Sequence, residues 1–272
     1  MKHARIIYQG TTYEATERDG QLLLTDGLLL TPDAVTWLPP LAPTPRPRTI
    51  LALGLNYADH AKELEFKAPE EPLVFIKGEG TLIGHRQYTV RPADVKHMHY
   101  ECELAIVVGK TARKVRRADA YDFVGGYTVA NDYALRDYLE NWYRPNLRVK
   151  NRDTCTPLGP WLVDAADVPN PMALALQTSV NGKVTQSGNT KDMIFDVPFL
   201  IEYFSSFMTL QPGDLILTGT PDGVVDCKAG DVVVTSIEGV GSLENYIGSR
   251  SKEMGSEPNF AGDRSSQTAS LS

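Results

Sequence analysis

Two glutamates at alternate positions, Glu101 and Glu103, stand in the largely apolar stretch HMHYECELAIVVGK at 97–110. Read as a strand, the stretch puts them on one face with Ala105 and Val107, and puts Cys102, Leu104, Ile106 and Val108 on the other. Both faces have the composition of a buried layer. Two ionised carboxylates there repel each other and lose hydration, so one takes a proton or a cation sits between them. A divalent metal ion removes both costs. Asp132 ends a second apolar strand, GYTVANDY at 126–133, and supplies a third carboxylate if the two strands are neighbours. Three oxygen donors completed by water suit Mg²⁺ first, then Mn²⁺ or Ca²⁺. The plain alternative is an exposed face on which the glutamates pair with Lys or Arg. His97 and His99 share the glutamates' parity, so a softer imidazole and carboxylate site of the iron or zinc kind is a further reading.

Three other stretches carry reactive groups. In GLNYADHAKELE at 54–65, Asn56 ends a strand and a helical pattern begins at Ala58, which sets His60 and Glu63 one turn apart on one face. A carboxylate beside an imidazole fixes its tautomer and raises its basicity, as a general base near neutral pH requires. An exposed helix with an incidental pair has the same sequence. In YRPNLRVKNRDTCTPLGPW at 143–161, strand alternation puts Arg148, Lys150 and Arg152 on one face, offered to an anionic substrate or oxyanion. A solvated edge strand reads alike. LILTGTPDGV at 215–224 ends a strand in a Gly-flanked turn whose hydroxyls and amides can hold a carboxylate.

The elements that must position these groups are mostly strands. Residues 1–38 contain short alternating runs split by Gly and Asp, expected as a small N-terminal β subdomain. LPPLAPTPRPR at 38–48 has five prolines in eleven residues and serves as an extended linker, so a larger domain is expected over 49–247. Helical pattern there is confined to the stretch after Asn56, LRDYLENWY at 135–143 and DVPFLIEYFSSFMT at 196–209. The fold class expected is mostly β with α decoration. Residues 248–272, rich in Ser and Gly, are expected to be a disordered tail.

Composition narrows the function. The chain has 272 residues, a net charge of −7 and no basic stripe, which argues against a nucleic-acid partner. No apolar run approaches the ~18 residues of a membrane span, and the N-terminus lacks a signal core. Three scattered cysteines, Cys102, Cys155 and Cys227, form no CxxC pair. A cytoplasmic location is therefore expected.

Taken in order, GLNYADH, PLVFIKG, YECELAIVVGK, GYTVANDY, ALRDY, RVKNRDTCTPLGPW, GNTKDMIF, PGDLILTGTP and GDVVVTSIEGVGSLEN closely resemble the fumarylacetoacetate hydrolase family over about residues 50–247. More narrowly, ELEFKAPEEPLVFIKG and NDYALRDYLENWYRPNLRVK look like its decarboxylase/isomerase branch of homoprotocatechuate (4-hydroxyphenylacetate) degradation. The resemblance implies a mixed β-barrel or β-roll core, Mg²⁺ on Glu101, Glu103 and Asp132, and a homodimer. It implies His60 and Glu63 as a proton-moving dyad, Lys150 as a catalytic lysine, and Arg136, Thr220 and Lys77 as substrate contacts. The implied substrate is a small α-keto di- or tricarboxylate, with decarboxylation or isomerisation as the reaction. C–C bond hydrolysis and oxaloacetate decarboxylation are the family's neighbouring chemistries. Residues 1–48 are too short for a fused catalytic half, which leaves open whether one reaction or both are performed.

Overall fold

The computed structural model describes residues 1–57, 70–139 and 146–248. The helical stretch carrying His60 and Glu63, the second half of LRDYLENWY and the tail beyond Gly248 lie outside the described residues.

Strands β1 (Lys2–Tyr8), β2 (Thr11–Arg18), β3 (Gln21–Leu24), β4 (Leu29–Leu30) and β5 (Thr36–Leu38) occupy the N-terminal stretch. The first two connections are two-residue hairpin turns, Gln9-Gly10 and Asp19-Gly20, with φ of 48° and 80° and of 50° and 79°. Positive φ at both central positions matches the right-handed strand twist, and glycine at the second adopts it without a Cβ clash. Beyond Leu38, the last residue of β5, the proline-rich segment contributes no strand. Beyond it come β6 (Ile50–Gly54), β7 (Leu73–Lys77), β8 (Leu82–Ile83), β9 (Tyr88–Val90), β10 (Met98–His99) and β11 (Cys102–Val108). They are followed by β12 (Val124–Asn131), β13 (Ala134–Leu135), β14 (Thr156–Asp164), β15 (Ala175–Val180), β16 (Lys183–Asn189), β17 (Leu215–Leu217), β18 (Val232–Ile237) and β19 (Gly241–Gly248).

A twelve-stranded sheet follows the path β4-β3-β2-β1-β14-β12-β11-β17-β6-β7, with β5 beside β1 and β8 beside β14. Different strands stand at its two ends, so among the described residues the sheet is open and no barrel closes. β1 pairs with β14 through Lys2↔Val163 and His3↔Leu162, which makes the N-terminal strands an extension of the main sheet. They keep an apolar cluster of their own around Ile6, Leu22, Leu24 and Trp37. A second sheet runs β16-β15-β18-β19-β9.

The alternation read from 97–110 governs the core. Cys102, Leu104, Ile106 and Val108 pack into the largest apolar cluster with Leu51, Leu53 and Phe204. Ala105 and Val107 face a different cluster with Ile50, Ala52, Ala130, Leu158 and Leu217. The helix Val197–Phe207 begins where the sequence indicates, capped by Asp196, whose Oδ1 accepts the Phe199 N–H at 2.8 Å. Two expectations change. Leu135 closes a short strand and Arg136–Tyr138 is a 3₁₀ turn, so no α-helix starts there. Leu147–Lys150 is a single helical turn, not a strand. No described helix is long and apolar enough to cross a membrane.

His85 ties the N-terminal strands to the second sheet. Its ring meets Trp37 edge-on at 5.2 Å, and its Nδ1 accepts the Glu244 N–H at 3.0 Å. Burial, aided by Arg86 and opposed by Glu244, lowers its pKa from 6.5 to about 4. The unfolded chain therefore protonates this histidine first. Its contribution is intact above pH 6.5 and is lost as pH falls toward 4. At ~1.4 kcal/mol per pK unit the loss amounts to roughly 3 kcal/mol. Urea denaturation at pH 7 and pH 4 is expected to show the wild type losing about that much more than His85→Gln; equal losses would refute the assignment.

Candidate metal centre

Glu103 is the second residue of β11, Glu101 immediately precedes that strand, and Asp132 immediately follows β12. The antiparallel register Cys102↔Asn131 brings these ends together, and Asp132 N–H donates to Glu101 O at 2.9 Å, extending the ladder by one step. One carboxylate oxygen from each of the three acids lies within 4.8 Å of the others. Glu103 and Asp132 are fully buried and Glu101 nearly so. Gly219 N–H donates to Glu103 Oε2 at 2.8 Å, while Glu103 Oε1 is buried with no hydrogen-bond partner among the described residues.

Three cations surround the acids. Lys77 Nζ is 2.6 Å from Asp132 Oδ1. Lys150 Nζ is 2.5 Å from Glu101 Oε2 and 2.9 Å from Asp132 Oδ2, the latter without the geometry of a hydrogen bond. Arg136 Nη2 is 3.0 Å from Glu101 Oε1. Desolvation, with Asp132 and Glu101 adding to it, holds the Glu103 carboxyl well above the usual carboxylate range against Lys150 and the Gly219 N–H. Burial acts to lower the Lys150 pKa, but Asp132 and Glu101 outweigh it and raise it. A divalent ion at this point would add positive charge that opposes the shift. The oxygen donors, their convergence and the partnerless Glu103 Oε1 fit a hard cation.

The structure brings together the three expected metal ligands with Lys150 and Arg136. The imidazole reading fails on placement: the converging acids include no histidine among the described residues, and His97 is exposed. His99 pairs with Ala134 in β10, its ring pKa lowered by burial and by Arg136. Lys77, expected at the substrate, is 1% exposed. Its ammonium group donates to Asp132 Oδ1 and to the Lys150 carbonyl and lies 3.7 Å from Cys155 Sγ. Arg148 and Arg152 do not share a face with Lys150, because the helical turn sends Lys150 inward. The two arginines lie 3.7 and 5.2 Å from the Tyr138 ring centroid. Thr220 is buried, next to the glycine that holds Glu103. Asn56, earlier read only as a strand end, is fully buried and donates to Phe195 O at 3.1 Å and Thr218 O at 2.8 Å. Its signal was an amide closing an apolar run.

The family model for the fumarylacetoacetate (FAA) hydrolase C-terminal domain matches residues 49–248. A 4-hydroxyphenylacetate degradation bifunctional isomerase/decarboxylase from Salmonella dublin is 60% identical over 212 residues, 78% of this chain and 48% of that protein. The chain thus spans about half the length of such curated relatives. Among solved structures, 5-carboxymethyl-2-hydroxymuconate delta-isomerase from Mycobacterium smegmatis superposes with a TM-score of 0.79 at 36% identity, covering 92% of this chain and 99% of that one. Maleylpyruvate hydrolase from Sphingobium sp. SYK-6, solved with manganese(II) and pyruvate, gives 0.77 at 28% identity, covering 92% and 99%.

Removing Lys77 leaves Asp132 buried without its closest countercharge. Lys77→Met is expected to cost about 3–5 kcal/mol in metal-free protein, measured by urea denaturation, with part of the loss restored by saturating Mn²⁺. A cost below about 1 kcal/mol, in the range of exposed pairs, would show that Lys77 does not balance Asp132.

Proposed function

The chain belongs to the fumarylacetoacetate hydrolase family, and from that premise we propose that it is a Mg²⁺-dependent decarboxylase/isomerase of α-keto di- and tricarboxylates. The proposed substrates are 5-oxopent-3-ene-1,2,5-tricarboxylate, which would lose CO₂, and 2-hydroxyhepta-2,4-diene-1,7-dioate, which would be isomerised. The reading rests above all on the buried Glu101, Glu103 and Asp132 group, set among cations in a chain with these relatives. Mg²⁺ held by those three acids would supply Lewis acidity toward a keto oxygen.

The chain's own residues supply the rest. Lys150, held between Glu101 and Asp132, is placed to balance negative charge that develops on the substrate as CO₂ leaves. Arg136 keeps one edge on Glu101 and is about one-fifth exposed, which suits it to orient a substrate carboxylate. The Thr220 hydroxyl offers a second polar contact beside Glu103. His60 and Glu63 are assigned the proton transfer. Decarboxylation and isomerisation use one charge-stabilising environment and differ in where the proton is delivered, so one site serves both.

Hydrolysis of a C–C bond is the competing reading, favoured by the likeness to maleylpyruvate hydrolase. Three buried free cysteines accord with a reducing cytoplasm, and a homodimer is the assembly we assign.

Purified protein with Mg²⁺ and the tricarboxylate, followed separately for CO₂ release and diene absorbance, is expected to show both signals. Glu101→Ala should reduce turnover by more than about 100-fold, beyond the ~10–100-fold typical when a residue that only supports a metal ligand is changed. Undiminished Mg²⁺-dependent turnover in that variant would sink the assignment, and cleavage of an acylpyruvate in place of CO₂ release would favour hydrolysis.

A further inference from the structure

The turn after β17 is gripped at several points, by Tyr100 and by β16 of the second sheet. Tyr100, next to Glu101, donates its hydroxyl proton to Gly223 O at 2.8 Å and lies 2.6 Å from Thr185 Oγ1 on β16. Gly188 and Gly223 pack so closely that an added Cβ would meet Pro221 at 2.8 Å and Thr185 O at 2.9 Å. Between them stands Gln186, 2% exposed. Its Nε2 donates to Pro221 O at 2.8 Å and to Thr220 Oγ1 at 2.9 Å, and its Oε1 accepts from Thr178 Oγ1 at 3.1 Å. Pro221 O can only accept, which fixes the amide with its nitrogen toward the turn. Both amide protons are then committed, and Thr220 Oγ1 is the acceptor in its bond.

From this polarity we infer that Gln186 is a positioning residue for the substrate site: by filling one lone pair of Thr220 Oγ1 it directs the hydroxyl proton away from the turn and toward the ligand, which favours an acceptor opposite Thr220. A carboxylate or keto oxygen suits that arrangement. The hydroxyl proton and the Thr220 N–H both lack an acceptor among the described residues, which leaves two neighbouring donors for one carboxylate. The Gly219 N–H is already spent on Glu103, so the turn serves the metal ligand with one residue and the substrate with the next. The inference rests on the reading that a keto acid binds beside Glu103.

The probe is 2-oxoadipate, a keto diacid that carries only acceptors at neutral pH, titrated by calorimetry in the presence of Mg²⁺. Gln186→Met and Thr220→Val are each expected to weaken binding about tenfold, the worth of one good hydrogen bond. The double variant should be no weaker than either single one, because Gln186 acts through Thr220. Mn²⁺ affinity of Gln186→Met should stay within about twofold of wild type. Gln186→Glu keeps the shape and the bond from Thr178 but removes both donors, and it carries the same expectation should Gln186→Met fail to fold. Losses that multiply in the double variant, or unchanged binding in the Gln186 variants, would overturn the positioning role alone. Failure of the wild type to bind 2-oxoadipate would overturn the functional reading and this inference with it.

Discussion

Three carboxylates buried at one point are the constraint from which the rest of the molecule follows. Glu101, Glu103 and Asp132 converge to within 4.8 Å with almost no contact with water. Left to themselves they would repel and protonate. The surrounding architecture supplies positive charge and donors from chain segments far apart in sequence. β7, at the edge of the large sheet, brings Lys77; one helical turn brings Lys150; a 3₁₀ turn brings Arg136; the turn after β17 brings the Gly219 N–H. Gly219 has a φ of 83°, and a Cβ there would meet Asn56 Cβ at 3.0 Å, so a side chain at this position would disturb the donor that holds Glu103.

Those supports make the site a product of strand order. β11 is flanked by β12 and β17, which deliver Asp132 and the Gly219 turn to the same end of the sheet. Parallel pairing of β17 with β6 then places Asn56 against Thr218, and Asn56 fastens Phe195, just ahead of the helix Val197–Phe207. The second sheet reaches the same place through Gln186 and through Thr185, which lies 2.6 Å from the Tyr100 hydroxyl. Charge at the centre, hydrogen bonds around it and apolar layers outside are therefore one continuous arrangement.

The pattern of 97–110 was legible because a strand has a period of two: the alternation that set Glu101 and Glu103 apart from Leu104 and Ile106 is the division between the two apolar clusters on either side of β11. The helix Val197–Phe207 was legible for a related reason, the helical pattern of the run at 196–209. The stretch 147–152 misled because so short a run cannot reveal its period: alternate positions share a face in a strand, but the helical turn Leu147–Lys150 separates Arg148 from Lys150. Lys77 shows a different limit. Its chemistry as a cation was plain, but what it faces depends on β7 lying beside β6, a pairing that puts residues 77 and 132 side by side only through two further strands.

By itself, then, the sequence determined which residues are charged, which faces of the strands are apolar, where hairpins turn and that three acids at the ends of two strands were candidates for a cation. Those are local properties, set by side-chain chemistry and by the period of the backbone. Only the tertiary structure decided that the acids meet, that Lys77 is committed to Asp132, and that Gln186 stands behind Thr220. Each of these depends on groups from about 30 to 55 residues apart being brought close together, and strand order across a sheet is chosen by the free energy of the whole packed core, not by any segment alone.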